Sequence, residues 1–227
     1  MMRSILPLFC LIVYLSVSIS FSLTVGVLPF SNNSLSEKEA LEPLCKGLGE
    51  MMTTELSKIK SLKMIERTDL NKIIQELGLS MSGLTDESAA QKAGKLLGAD
   101  LLMMGSFNQG FDGEMRIDAR LVNVETGETV TAEEVTGKKK KLFNLIKKLS
   151  FQIADDLDLS LSKEEKKAIN KSDNEDLNAL MFFSKGLDAE DKGDFKTAKE
   201  MYEKALSIND DYRQAQERLT IVNNILQ

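Results

Sequence analysis

Asp155, Asp156 and Asp158 are the side chains whose types and spacing come nearest to acid–base chemistry, because two neighbouring carboxylates can divide the roles of proton donor and acceptor. They close a helical stretch with one apolar face, and nothing in the sequence sets a partner carboxylate across a cleft from them. Solvated helix-end charges are the expectation. Asp188, Glu190 and Asp191 ahead of Gly193 resemble a calcium loop on the surface, yet position five is Lys192 and position twelve is Lys199 where a bidentate Glu is required. Gly94-Lys95-Leu96-Leu97-Gly98 fails as a phosphate loop, since its spacing is wrong and no Lys-Ser or Lys-Thr follows. Histidine is absent from the 227 residues, which excludes Ser-His and Cys-His nucleophiles and removes the commonest carrier of protons near neutral pH. No catalytic, cofactor-binding or metal-ligating residue is assigned. The chain is expected not to be an enzyme, and a hydrolase built on carboxylates alone is the enzymatic alternative.

The elements that would position such residues begin after a leader. Arg3, the apolar stretch Ile5 to Val17, and small residues at Ser20 and Ser22 compose a secretory signal cleaved after Ser22. The apolar run is shorter than the roughly 20 residues a spanning helix needs, and a retained anchor is the alternative. Cys10 follows the bulky Phe9 where a lipoprotein site requires a small residue. With residues 1–22 removed, Cys45 is the sole thiol, so no intrachain disulfide can form. It aligns with Leu41, Leu44, Leu48 and Met52 on one helical face, as a buried cysteine does. The formal charge of −6 repels phosphate backbones, and nucleic acid is not an expected partner.

Past the leader, hydrophobic period and punctuation predict alternating strands and helices. Leu23 to Phe30 reads as a buried strand ended by Pro29 and the polar loop Ser31-Asn32-Asn33-Ser34. Ser36 and Glu39 form a capping-box pattern ahead of a helix of about five turns through Leu56, with Pro43 constraining its early part. Leu62 to Glu66 is a second strand. Thr68 is read as the cap of a helix ending at Gly78, and Thr85 as the start of another ending at Gly98. Leu101 to Phe107, Met115 to Leu121 and a strand through Val130 and Val135 form two consecutive antiparallel hairpins, the middle strand alternating apolar with charged so that one face is wet. Leu142, Leu145, Ile146, Leu149, Ile153 and Leu157 then face a covering helix. The run Lys138 to Lys141 ahead of it opposes the helix dipole and has no account in the sequence.

Val27-Leu28-Pro29-Phe30, Met51 to Leu56, Met64 to Leu70, Gly78 to Thr85, Gly94 to Asp100 and Arg120 to Glu128, in that order, resemble the curli production assembly/transport component (CsgG) family. The resemblance spans about residues 23–157. It implies an α/β domain, with a mixed sheet packed by helices, that binds partners or self-assembles and has no catalytic centre. It also implies an exported protein of the periplasmic space or the periplasmic face of the outer membrane, peripheral to any membrane. Channel-forming members carry long membrane-spanning hairpins. Here the connections at 107–114 and 126–131 are tight turns, so a non-channel type is expected.

Residues 158–175 read as a polar linker. Residues 176–227 follow as a small all-α unit that resembles a tetratricopeptide (TPR) repeat through Phe182, Gly186, Ala189, Gly193-Asp194-Phe195, Ala198, Tyr202 and Ala205, with a closing helix at about Tyr212 to Leu226. Leu180, Phe183 and Leu187 make a separate apolar stripe, the candidate partner-binding surface, with docking on the α/β domain or a neighbouring subunit left open beside it. The functional expectation is an envelope protein that works by protein–protein interaction and assists export or assembly of a surface structure. Its partners are other envelope proteins, with a homo-oligomer left open. Activation of a periplasmic cell-wall synthase is the alternative.

Overall fold

The computed structural model describes residues 22–78, 87–171 and 176–227. The leader and Thr85 lie outside them, as does most of the 78–85 motif.

Leu23–Val27 (β1) opens the sheet as expected, and Pro29 ends it, but the chain returns at once as Ser31–Asn32 (β2). Both strands run parallel to Leu101–Gln109 (β4), with Val25 opposite Leu101 and Ser31 opposite Ser106. A polar dipeptide carries no periodicity, so the sequence marks β2 only as loop. Pro43 does more than constrain the following helix. Lacking an N–H, it divides the segment into Lys38–Leu41 (α1) and Leu44–Leu56 (α2). Ser36 caps neither of them; its hydroxyl donates to the Gly110 carbonyl at 2.9 Å, tying this loop to the β4 turn.

Leu62–Met64 (β3) lies parallel to the outer edge of β1. Arg67–Glu76 (α3) follows, with Glu66 in the N-cap position and no side-chain cap, so Thr68 lies inside the helix. Glu87–Leu97 (α4) leads into β4. Glu114–Asn123 (β5) and Thr129–Lys138 (β6) complete two antiparallel hairpins, which turn on Gly113 at φ +76 and Gly127 at φ +77. The mixed sheet has the order β3-β1-β4-β5-β6, with β2 beside β4. Lys139–Lys141 form one 3-10 turn into Leu142–Asp156 (α5).

Alternation along β4 and β5 divides the molecule into layers. Met103, Phe107, Met115, Ile117 and Leu121 point to one face, where α2 and α5 bury them. Leu102, Met104 and Val122 point to the other, under Leu70 and Ile74 of α3 and Ala90 of α4. Gly105 is required on the first face because a Cβ there would fall within 3.0 Å of the Phe30 ring.

The stretch expected as a linker is built into the fold. Lys163–Asn170 (α6) starts with a complete Ser162–Glu165 capping box, and Glu165 also accepts from the Lys60 backbone at 2.8 Å. Ile169 is fully buried in the larger core. Leu177–Asp191 (α7), Phe195–Ile208 (α8) and Arg213–Ile225 (α9) follow. Helices α7 and α8 make an antiparallel hairpin in which Gly186 admits the Tyr202 ring, with Ala189, Ala198 and Ala205 buried in the core to which it belongs. That core runs without a break from the sheet through α2 and α7 into α9.

Candidate interaction surface and the helical junction

Leu180, Phe183 and Leu187 are 0, 1 and 0% exposed. They are covered from within the chain, which corrects the expectation of a free binding stripe. Helix α7 lies directly on α2, so closely that a Cβ at Gly47 would meet the Ser184 hydroxymethyl and come within 3.3 Å of Leu180. The Phe183 ring stacks obliquely on Tyr202 and Tyr212 at centroid distances of 5.8 and 5.0 Å. The stripe docks the C-terminal helices on the α/β layers.

Charges clamp the same junction. Lys46 of α2 reaches Asp188 at 2.9 Å and Asp191 at 2.8 Å. Arg67 at the start of α3 pairs with Asp191 and, at 3.1 Å, with Glu190. Glu190 also accepts from the Tyr202 hydroxyl at 2.6 Å and from Arg218 of α9. Asp188, Glu190 and Asp191 are thus consumed by four cations, Lys192 pairing with Asp188 beside Lys46, Arg67 and Arg218, and among the described residues no carboxylate cluster is disposed to hold a metal. Two guanidiniums share Glu190, and burial together with the Arg67 charge pulls Arg218 down to about 10. Beside them a cavity of about 20 Å³, room for about one water, is lined by Lys46, Glu50, Arg67 and Asn71. Burial raises the Glu50 carboxyl above its ordinary value, and Arg67 and Arg218 only partly oppose that.

Of the other aspartates, Asp156 is engaged within the fold. Asp156 accepts from Thr131 and lies against Glu133, whose carboxyl is raised by burial and then by the Asp156 charge. This is the partner carboxylate the sequence did not supply; it lies between α5 and β6, and Glu133 but not Asp156 reaches the lining of the sheet-face groove. Asp155 is exposed. Asp158 takes a left-handed backbone at φ 52 directly after α5, which aspartate tolerates. Cys45 is buried, and burial beside Glu42 pushes its thiol up to about 12, far from reactivity. Ser22, the expected cleavage position, stands exposed one residue ahead of β1.

Among the described residues, part of one sheet face remains open. Helices α3 and α4 cover the β3–β1 side and the Leu102–Val122 end, leaving Ser106, Arg116, Asp118, Arg120 and Glu134 uncapped. There a groove of about 470 Å³ forms with Leu28, Pro29, Met104 and Gly105 in its floor. Arg116 donates to Asp118 through Nε at 2.8 Å and pairs across the strands with Glu134. The Asp118 hydrogen bond, with that charge and the Glu134 charge behind it, holds the guanidinium above its ordinary value. The alternation from Met115 to Leu121 announced a wet face. Alternation alone does not tell which part of that face the described helices cover, so it does not mark the groove residues. The junction cations gave no local signal, since Arg67 and Asp191 lie 124 positions apart.

The CsgG model, described as curli production assembly/transport component, matches residues 16–114. The match ends as β5 begins, short of the 23–157 span expected from the residues. No curated protein gives a significant match. Among solved structures, the LpoB C-terminal domain from Escherichia coli is 17% identical, covering 54% of this chain and 87% of that one, with a TM-score of 0.44. Lipoprotein GNA1162 from Neisseria meningitidis is 13% identical over 58% and 96%, at 0.42. The PelC dodecamer from Paraburkholderia phytofirmans is 12% identical over 62% and 90%, at 0.38.

Proposed function

We propose that this chain is a non-catalytic, exported envelope protein that holds another envelope protein on the open face of β4–β6 and so assists export or assembly of a surface structure. The observation that carries it is the groove itself, an apolar floor with paired charges at its rim, on a part of the sheet that the described helices leave bare. Apolar floors rimmed by satisfied polar groups are the common form of a protein-binding patch. The match of residues 16–114 to the CsgG model supports the envelope setting. No described helix is long and apolar enough to cross a membrane, which accords with peripheral attachment.

The absence of histidine and the engagement of Asp156, Asp188, Glu190 and Asp191 by neighbouring side chains support a binding role over a hydrolytic one. The C-terminal hairpin, with its TPR-like pattern, serves in this reading as an internal buttress of α2.

The test places a photo-crosslinking residue at Ser106, and separately at the exposed Lys148 of α5, in the envelope of living cells. A discrete adduct from Ser106 that Lys148 does not give, and that Arg116→Glu abolishes, is the expected result. Equal adducts from both positions, or none from Ser106, would refute the assignment of this face.

A further inference from the structure

β6 is an unpaired edge of the sheet among the described residues. Its outward groups can be assigned. Lys139 N donates to Gly113 O, and in an antiparallel ladder the inward-facing residues alternate. Gly137, Val135, Glu133 and Thr131 therefore face β5, while Lys138, Thr136, Glu134 and Ala132 present free N–H and C=O groups outward. Val135 is buried, and the outward-pairing residues carry their side chains on the open face of the sheet.

The same strand carries charged side chains of opposite sign four residues apart, Glu134 and Lys138. Lys138 makes no ion pair among the described residues, and it heads a run of four lysines at the positive end of the α5 dipole, an unfavourable position. Four residues upstream, Glu134 is exposed, held only by the equally exposed Arg116.

From this we infer that β6 pairs with β6 of a second copy, antiparallel about a two-fold axis through Thr136. In that register Thr136 faces Thr136 of the other copy, and Glu134 faces Lys138 in both directions, as hydrogen-bonded pairs with side chains on one face. Opposite charges so placed favour pairing, and like charges oppose it. Centring the axis on Glu134 would set glutamate against glutamate, so the charges select the register. A two-fold closes the contact at two copies and joins both sheets into one, removing the exposed edges.

The experiment is sedimentation of the purified full chain with charge-reversed variants, each checked for folding by circular dichroism. The wild type dimerises, while Glu134→Lys and Lys138→Glu each raise the dissociation constant about tenfold or more, since two attractive pairs become two repulsive ones. Mixing the two variants restores association, because each pair in the mixed dimer again joins opposite charges, and the double variant E134K/K138E restores it within one chain. Thr136→Pro deletes an outward N–H at the axis, spares the β5 ladder, and abolishes the dimer without altering charge. A wild type that stays monomeric at its highest soluble concentration overturns the inference. So do a dimer indifferent to these changes, a mixture that stays monomeric, and capture of an acidic extended peptide such as polyglutamate by a monomeric chain through Lys138. A monomer that still gives the Ser106 adduct refutes the dimer alone and leaves the partner-binding face standing.

Discussion

Phe183→Ala tests whether the C-terminal helices are part of the fold or an appendage. Phe183 is 1% exposed between α2 and α8–α9, touching both Tyr202 and Tyr212. Truncating a core Phe costs about 3–5 kcal/mol, the spread reflecting how far the cavity collapses. Two ring partners, each contributing about 0.5–1.5 kcal/mol beyond area, and a neighbouring hairpin locked at Gly186 place the expectation in the upper half of that range, about 4 kcal/mol. For a chain of this size each kcal/mol lowers Tm by about 2–4 °C, so a drop of roughly 8–16 °C is expected. The chain lacks Trp, and its three tyrosines are Tyr14, Tyr202 and Tyr212. Two of them report the C-terminal helices, while far-ultraviolet circular dichroism reports every helix. Because the core is continuous, both signals should shift together in one transition. A loss below about 1 kcal/mol, as for a surface position, or a tyrosine transition that separates from the dichroism signal, would refute the docked arrangement.

Glu190→Gln leaves Arg67 and Arg218 without their shared carboxylate at a largely buried junction. Destabilisation of about 3 kcal/mol by urea denaturation is expected, shrinking in the double variant that also removes Arg218. Gly105→Ala drives a methyl into the Phe30 ring and costs about 1–3 kcal/mol in thermal melts, with the groove side chains unchanged in sequence. Glu165 is held below the ordinary carboxylate range by the Lys60 and Ser162 N–H groups. Its contribution is therefore present above the unfolded value of about 4.3 and lost as pH falls through the depressed folded value. Glu165→Gln should cost about 1 kcal/mol at pH 7, with a difference from wild type that fades in acid; a difference constant with pH would contradict this.

The sequence made the layers legible wherever a hydrophobic period ran long enough to measure. β4, β5, β6 and α5 fall within a few residues of expectation, because each alternates or repeats over nine or more positions. The tight turns at Gly113 and Gly127 were legible for the same reason that they exist, the need for positive φ. Short elements were not. β2 is two polar residues whose pairing comes from the chain continuing parallel to β4 past Pro29. α6 anchors through Ile169 and the Glu165–Lys60 backbone hydrogen bond and otherwise looks like solvent-exposed sequence, although Ser162 and Glu165 spell its capping box. The stripe at Leu180, Phe183 and Leu187 was visible as apolar. Its cover was not, since contact between α7 and α2 depends on Gly47, 133 positions before Leu180, being small enough to admit Ser184. Asp188, Glu190 and Asp191 were set aside as a metal loop on spacing, and the structure supplies the cations that occupy them instead.

One sheet face is sealed twice, first by α2 and α5 and then by the helices clamped on α2. Among the described residues, the other is sealed where α3 and α4 reach. The bare part and the β6 edge are contiguous, because Ala132 and Glu134 line the groove and also belong to the outward-pairing set of the edge strand. Glu134 is thus shared between two uses, pairing with Arg116 within the monomer and with Lys138 of a second copy across the edge. A dimer that draws Glu134 toward Lys138 frees Arg116 at the groove rim, leaving Asp118 as its remaining partner. Linkage then requires that any partner which prefers the freed Arg116 promote dimerisation by the same factor by which dimerisation strengthens its binding. The placement of one glutamate on the edge strand is what couples the face to the edge. Replacing it by glutamine should uncouple them while leaving both surfaces in place.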